Sequence, residues 1–347
     1  MEKIDLKCLK TEELSEELKK LGEPAFRAKQ LYSWMHVKLA ASFSEMTNLP
    51  KSLRERLPEL YDCTKLSEVA RLVSKDGETE KYLFGLSDGN VIESVLMRYH
   101  HGNSVCISSQ VGCRMGCRFC ASTIGGLVRN LSAAEMLEQV YSITRITGER
   151  VSNVVVMGTG EPLDNFDNLL RFLEMLTDEN GLHISQRNVT VSTCGLPDKL
   201  KLLADRKLAI TPALSLHAPN DELRREIMPV ANSVTVSELM EACDYYFRQT
   251  GRRMTFEYSL MENVNDSPAL AGQLAALLKG KNCHVNLIPV NPVKERNYRR
   301  SVVTNVLRFQ KELEKAGINA TIRKEMGTDI DAACGQLRRT YIEQHKG

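Results

Sequence analysis

Three thiols crowd into eight residues of this chain, in Cys113-Arg114-Met115-Gly116-Cys117-Arg118-Phe119-Cys120. The C-x3-C-x2-C spacing allows three thiolates to wrap one face of a small metal cluster. A structural zinc site completes four protein ligands, commonly as two separated C-x2-C knuckles, and that arrangement is missing here. Three thiolates on a 4Fe-4S cluster instead leave one iron open to a substrate or cofactor, whereas electron-transfer clusters use four cysteines. Cys106, seven residues upstream of Cys113, is the nearby thiol that would complete a four-cysteine zinc site. The arginines and glycines around the trio speak against three unrelated core cysteines.

Other groups take meaning from their neighbours. Gly158-Thr159-Gly160-Glu161-Pro162 lets backbone approach a ligand closely, a weak sign because many strand-to-helix turns are glycine-rich. Ser192, Ser215, His217 and Asn291 fall at the ends of expected strands. Each alone reads as a loop or cap group, but four converging on one barrel mouth point to a ligand. Lys294-Glu295-Arg296-Asn297-Tyr298-Arg299-Arg300 suits phosphate contact and base stacking, and Arg114, Arg118 and Arg129 would extend that basic rim. His100 and His101 adjoin the barrel entrance and face solvent. Taken alone, Glu93 reads as a solvent-facing carboxylate on an apolar strand, and Cys334, between Ala333 and Gly335, as an inert thiol. Cys8, Cys63, Cys194, Cys243 and Cys283 have no motif around them and are assigned to packing.

The 347 residues are 42% hydrophobic and 26% charged, which suits a soluble globular protein and is too polar for a membrane protein. Forty-six Lys and Arg against 44 Asp and Glu leave a formal charge of +2, so any nucleic-acid surface must be a local patch. No run of eighteen apolar residues occurs, and the start, MEKIDLKCLKTEELSEELKK, lacks the apolar stretch of a secretory signal. A cytoplasmic location is expected. Ten cysteines at scattered spacings do not resemble a disulfide scaffold.

The elements that must position these groups follow from periodicity. Residues 1–65 read as a helical accessory domain, with amphipathic patterns at Glu12 to Leu21, Ala25 to Leu39 and Ser52 to Leu60. Residues 66–100 read as a small antiparallel β meander, with strands around Ala70 to Val73, Lys81 to Leu86 and Val91 to Met97. Over 101–326 strand, loop and helix repeat. Strands are expected at Val105 to Ser108, Asn153 to Met157, Val189 to Ser192, Leu208 to Ser215, Met254 to Ser259, His284 to Ile288 and Ala320 to Arg323. Helices are expected at Ser132 to Thr147, Asp167 to Leu176, Ser237 to Arg248, Pro268 to Leu278 and Val302 to Lys315. Such units build an α/β fold, a partial (β/α)6 barrel whose chemistry sits at the C-terminal ends of its strands. Residues 327–347 form a C-terminal tail.

The cysteine motif, with an aromatic before its last Cys and in the loop after the first barrel strand, resembles the radical S-adenosylmethionine (SAM) superfamily. Gln110-Val111-Gly112, Cys120-Ala121-Ser122-Thr123-Ile124-Gly125-Gly126-Leu127, Ser215-Leu216-His217-Ala218-Pro219-Asn220 and Asp329-Ile330-Asp331-Ala332-Ala333-Cys334-Gly335-Gln336-Leu337 narrow the resemblance. Together they are similar to the RlmN family of adenine carbon-2 methyltransferases, from the first helices to about Leu337.

The resemblance implies a radical SAM barrel and a set of roles. Cys113, Cys117 and Cys120 ligate a 4Fe-4S cluster whose open iron takes SAM. Gly160, Glu161, Ser192, Ser215, Leu216, His217 and Asn291 bind SAM. Thr159 and Cys194 depart from the residues usual in the family, Met or Ile and Ser, and read as tolerated. Cys334 carries the methyl group, Glu93 accepts the proton, and Cys106 pairs with Cys334 in a transient disulfide. Each turnover consumes two SAM and needs an external electron donor such as a flavodoxin system. The substrate is 23S rRNA and, in some members, tRNA; no membrane is involved and a monomer is expected. Two alternatives stand beside this reading: a Cfr-type carbon-8 methyltransferase sharing the cysteine set, and a non-catalytic, zinc-stabilised RNA-binding protein using Cys106, Cys113, Cys117 and Cys120.

Overall fold

The computed structural model describes residues 3–293, 295–324, 326–330 and 335–344. Lys294 of the basic loop and Cys334 of the tail lie outside the described residues. At the N-terminal side, β1 (Ile4–Asp5), α1 (Thr11–Lys20), α2 (Phe26–His36) and α3 (Lys51–Leu60) are followed by β2 (Tyr61–Asp62), which pairs in parallel with β1. The leucine stripes expected from the helical period are buried, Leu14 and Leu18 on α1 and Leu53 and Leu57 on α3.

The meander follows as β3 (Ser67–Val73), β4 (Thr79–Gly85) and β5 (Val91–Tyr99). It does not stand apart from the barrel, because β5 pairs antiparallel with β6 (Gly102–Cys106), the first barrel strand. A hairpin, β7 (Gln110–Gly112) and β8 (Leu127–Asn130), frames the cysteine motif. The chain continues as α4 (Ala133–Thr147), β9 (Val151–Val156), α5 (Phe166–Leu176), β10 (Val189–Thr193), α6 (Pro197–Asp205) and β11 (Thr211–Ser215). Then come α7 (Asp221–Ile227), α8 (Val236–Thr250), β12 (Met254–Leu260), α9 (Pro268–Leu278), β13 (Cys283–Pro289), α10 (Val303–Lys315), β14 (Ala320–Ile322) and α11 (Gln336–Gln344).

Local chemistry explains the boundaries. Ser132 Oγ accepts from Glu135 N (3.2 Å) and Glu135 Oε2 accepts from Ser132 N (2.9 Å), a reciprocal cap that starts α4. Strand β11 starts at Thr211 rather than at Leu208. Its neighbour β10 is preceded by a 3-10 turn at Gln186–Asn188, and Gln186 Oε1 takes the Ala209 N–H (2.8 Å), so residues 208–210 have no strand to pair with. The sequence reading missed α6, α7, α11 and the β7–β8 hairpin.

One ten-stranded sheet results, in the order β3-β4-β5-β6-β9-β10-β11-β12-β13-β14, parallel from β6 onward. The sheet is a partial barrel: among the described residues no ladder joins β3 to β14. Because strand side chains alternate between faces, Val105, Val154, Val191, Leu214, Phe256 and Leu287 join Leu137, Leu169, Leu239 and Phe309 of the helices in one core. The other face, inside the barrel, receives Lys81, Glu93, Cys106, Ser192, Ser215, Glu257 and Asn286. The N-terminal helices share the same core and are tied to α4 and α5 by polar contacts. Lys7 Nζ contacts Glu138 Oε1 (2.5 Å) and Thr64 O (2.7 Å), both Lys7 and Glu138 being fully buried. Arg145 bonds Glu138 (2.6 Å) and Leu39 O (3.0 Å). No helix among the described residues is long and apolar enough to cross a membrane.

His36 belongs to this junction, with Nδ1 2.8 Å from Tyr141 Oη. Burial, aided by the Lys7 charge, pushes its pKa down to about 3. The unfolded chain therefore binds a proton near pH 6.5 that the folded protein refuses, and stability falls as pH drops from about 6.5 towards 3. We expect the stability gap between wild type and His36→Phe to change by about 1.4 kcal/mol per pH unit between pH 6 and 4 in denaturant titrations. Parallel profiles would show that His36 is not held neutral.

Candidate active site

The motif loop leaves β7 at Gly112, whose φ is +79° and where an added Cβ would meet Gly126 O at 2.0 Å, so only glycine fits. Cys113 N then donates to Gly126 O (3.0 Å). Thr123 Oγ1 donates to both Cys117 O (3.1 Å) and Cys120 O (3.0 Å), and Arg118 N donates to Ile227 O (2.9 Å). These bonds hold the loop both to its own hairpin and to the end of α7.

Burial pushes the Cys113 thiol up to about 12, and the neighbouring Cys120 adds to the shift. Burial also raises Cys117, with Cys120 and Cys113 adding and Arg224 opposing. Two buried thiols, Cys113 and Cys117, and the half-buried Cys120 beside them ionise together most readily around a cationic centre. A 4Fe-4S core is such a centre, so the donor set fits the cluster. Cys106 packs with Val95 and Met97, whereas Cys117 packs with Cys194, Ile227 and Met228, which argues against a four-cysteine zinc site.

The two glycines of Gly158-Thr159-Gly160 are demanded by protein packing. A Cβ on Gly158 would meet Ile107 O at 2.7 Å, and one on Gly160 (φ +115°) would meet Gln110 N at 2.8 Å. Thr159 O accepts from Ser109 N (2.9 Å) and Gln110 N (3.1 Å), which fastens this loop to the segment entering the cysteine motif. Glu161 is buried, its oxygens accepting from Leu163 N (3.0 Å) and Cys194 N (2.7 Å), although burial still raises its pKa. Its carboxylate is engaged by the fold itself.

Ser192 and Ser215, on adjacent strands, meet with hydroxyls 3.3 Å apart. Beside them Glu257 accepts from Asn286 Nδ2 (2.8 Å); the sequence reading named neither residue. Leu216 is buried, and its N–H donates to Glu257 O (3.1 Å). His217 adopts φ of +57°, accepts the Ser259 N–H at Nδ1 (2.9 Å) and meets the Phe119 ring edge-on at 5.0 Å. Burial lowers its pKa to about 3, so the ring is neutral and carries its proton on Nε2. Asn291 is exposed beyond β13.

Several expectations are corrected. Glu93, read by itself as solvent-facing, is only 3% exposed because it points to the inner face. Its Oε2 lies 3.3 Å from Nζ of the fully buried Lys81 and accepts from Gly335 N (2.7 Å), while Oε1 accepts from Arg338 N (2.6 Å). Glu93 therefore caps α11 from another strand. Gly335, the residue after Cys334, lies against Ser122, where an added Cβ would be 2.8 Å from Ser122 Oγ. His100 and His101 occupy the turn entering the N-terminal end of β6, at the end of the sheet away from the motif loop. Arg114 pairs with Asp164, and Arg129 with Asp88 and Glu135, so neither is a free part of the basic rim. Arg296 donates to Thr123 Oγ1 (3.2 Å), which joins that rim to the motif loop.

Fold and site together define a radical SAM enzyme. Residues 107–271 match the family model of the radical SAM superfamily, and residues 4–62 match that of the ribosomal RNA large subunit methyltransferase N-terminal domain. A crystal structure of a radical SAM methyltransferase from Sphaerobacter thermophilus superposes with a TM-score of 0.93 at 44% identity, covering 96% of this chain and 98% of that one. The chain is 62% identical over 343 residues to a probable dual-specificity RNA methyltransferase RlmN of Lachnoclostridium phytofermentans, covering 99% of this chain and 96% of the relative. It is likewise 62% identical to that of Lachnospira eligens, covering 98% and 97%. The chain belongs to the RlmN family. It is an RlmN-type radical SAM RNA methyltransferase, and that membership implies RNA as substrate, with SAM and a 4Fe-4S cluster.

Replacing Glu93 by Ala removes the carboxylate partner of Lys81 and both acceptors of the α11 N–H groups. We expect a loss of about 3 kcal/mol, and faster hydrogen exchange at the amides of Gly335 and Arg338. Unchanged exchange there would show that the tail docks without Glu93.

Proposed function

We propose that this enzyme methylates carbon-2 of an adenosine in the peptidyl-transferase centre of 23S rRNA, and of the adenosine 3′ to the anticodon in some tRNAs. The methyl group travels on the sulfur of Cys334. The observation that supports this reading is that Glu93 and Ser122, just past the cysteine motif, meet Gly335, which follows Cys334 in the chain, while Cys106 pairs with Val95 on the strand that carries Glu93.

In this reading Cys113, Cys117 and Cys120 hold the cluster, and Gly160, Glu161, Ser192, Ser215, Leu216, His217 and Asn291 line the SAM site. Cluster and SAM together supply, when bound, the one-electron chemistry that makes a sulfur-bound methyl reactive toward a ring carbon. That chemistry is needed because adenine carbon-2, between two nitrogens, is electrophilic and its C–H is not acidic. The Cys334 thiolate accepts a methyl group from one SAM, and a second SAM is consumed in activating it. Glu93 takes the ring proton from the protein–RNA adduct. The Cys106 thiolate then attacks the sulfur of Cys334: the S–S bond forms as the sulfur–methylene bond breaks, and the departing methylene carbon takes up a proton to leave methylated RNA. An outside reductant resets that disulfide.

The neutral His217 and the hydroxyl pair of Ser192 and Ser215 suit recognition of a polar nucleoside cofactor. Arg296, Arg299 and Arg300 on the rim suit RNA phosphates, and the target base must leave its stack to reach the inner face.

The test is mass spectrometry of nucleosides from unmodified 23S rRNA and tRNA, incubated anaerobically with reconstituted enzyme, reductant and deuteromethyl SAM. Labelled 2-methyladenosine in both RNAs, absent with Cys334→Ala, is expected. An 8-methyl product would move the enzyme to the Cfr-type reaction, and label in rRNA alone would remove tRNA from the proposal.

A further inference from the structure

Arg224, in α7, has the largest fully buried side chain of the described residues, with no accessible surface. Its Nη2 donates to Cys194 O (2.5 Å) and its Nε to Leu216 O (3.2 Å), while Nη1 is buried with no hydrogen-bond partner. No carboxylate among the described residues forms an ion pair with it, and Asp221 on its own helix acts only at a distance. A guanidinium stays charged even where burial disfavours the cation, so this is a buried positive charge with two neutral acceptors and an Nη1 amino group whose N–H donors are unused. Such a group costs several kcal/mol unless an anion sits nearby.

After burial, which disfavours the cation, the groups whose negative charge would most favour it are Cys194 and Cys117 as thiolates, ahead of Asp221, and Cys117 becomes a thiolate when it ligates a cluster. Cys117 and Cys194 pack in one buried group with Ile227, the last residue of α7. The Arg118 N–H also reaches Ile227 O (2.9 Å), which fixes the motif loop to the helix that carries Arg224. A 4Fe-4S core on three thiolates is net negative and gains a further negative charge on reduction.

We propose that Arg224 is the buried counter-charge of the cluster, aiming its unused N–H at cluster or thiolate sulfur and favouring the reduced state. The proposal rests on Cys113, Cys117 and Cys120 being the ligands. It makes Arg224 a positioning residue that sets how readily the cluster accepts an electron. It also accounts for the bonds to Cys194 O and Leu216 O, which hold the guanidinium in register between the third and fourth parallel strand ends.

Redox titration of the reconstituted protein without SAM tests it, with iron and sulfide content measured for each variant. In Arg224→Met the reduced-to-oxidised ratio at a fixed potential should fall about tenfold, ~59 mV for one electron. Arg224→Lys, which keeps the charge, should stay near wild type. An unchanged potential in a fully loaded Arg224→Met protein overturns the proposal. If that variant does not fold, wild type carrying guanidino-15N arginine decides the matter. Its reduced cluster should show a 15N hyperfine coupling that Arg224→Lys abolishes, and no coupling overturns the proposal. A wild type that binds no iron refutes the ligand assignment itself, and this inference with it.

Discussion

The two-residue alternation of one ten-stranded sheet decides which strand residues of this enzyme face the inside of the barrel. Apolar residues from alternate positions meet the helices in a single core, and that burial fixes the register of each strand. The remaining positions must then face inward whatever their chemistry. Lys81, Glu93, Cys106, Ser192, Ser215, Glu257 and Asn286 come from seven strands and arrive on one surface. A slip of one residue in β5 would carry Glu93 into the apolar core and Ile92 to the inner face, so the strength of the core is what makes the site possible.

Two attachments complete the arrangement. On one side, Gly158 and Gly160 let the loop after β9 lie directly on residues 107–110, so that the chain enters the cysteine motif from a fixed direction. On the other, Glu93 draws α11 onto the sheet through the N–H groups of Gly335 and Arg338. That contact brings the chain next to Cys334 beside Ser122, two residues past Cys120. The carboxylate proposed above as proton acceptor thus anchors the tail, and its buried partner Lys81 supplies positive charge beside it.

The cysteine motif was legible because its spacing is chemistry in itself, and most barrel strands were legible because apolar runs between glycine-rich turns have few other readings. The polar strand-end residues Ser192, Ser215 and His217 were also legible, and the resemblance to the RlmN family added Cys106, Glu93 and Cys334. Other residues were hidden because their partners are remote in sequence. Lys81 stands beside Tyr82, Leu83 and Phe84, and its pairing with Glu93 on the next strand gives the buried lysine an anion that no local pattern announces. Arg224 stands in Asp221-Glu222-Leu223-Arg224-Arg225-Glu226, a run that reads as a solvated helix face. Its burial depends on carbonyls of Cys194 and Leu216 that no local pattern announces. Helix α11 is short and polar, and it forms where a carboxylate from β5 caps it.

The account stands or falls on the convergence of Cys106, Glu93 and the Cys334 segment around one RNA base. The most direct measurement is to incubate Cys106→Ala enzyme with reductant, SAM and RNA, digest both polymers, and identify any crosslinked peptide by mass spectrometry. An adenosine joined through a methylene bridge to the peptide containing Cys334 is the predicted result. Free methylated RNA at the wild-type rate, with no adduct on that peptide, would contradict it.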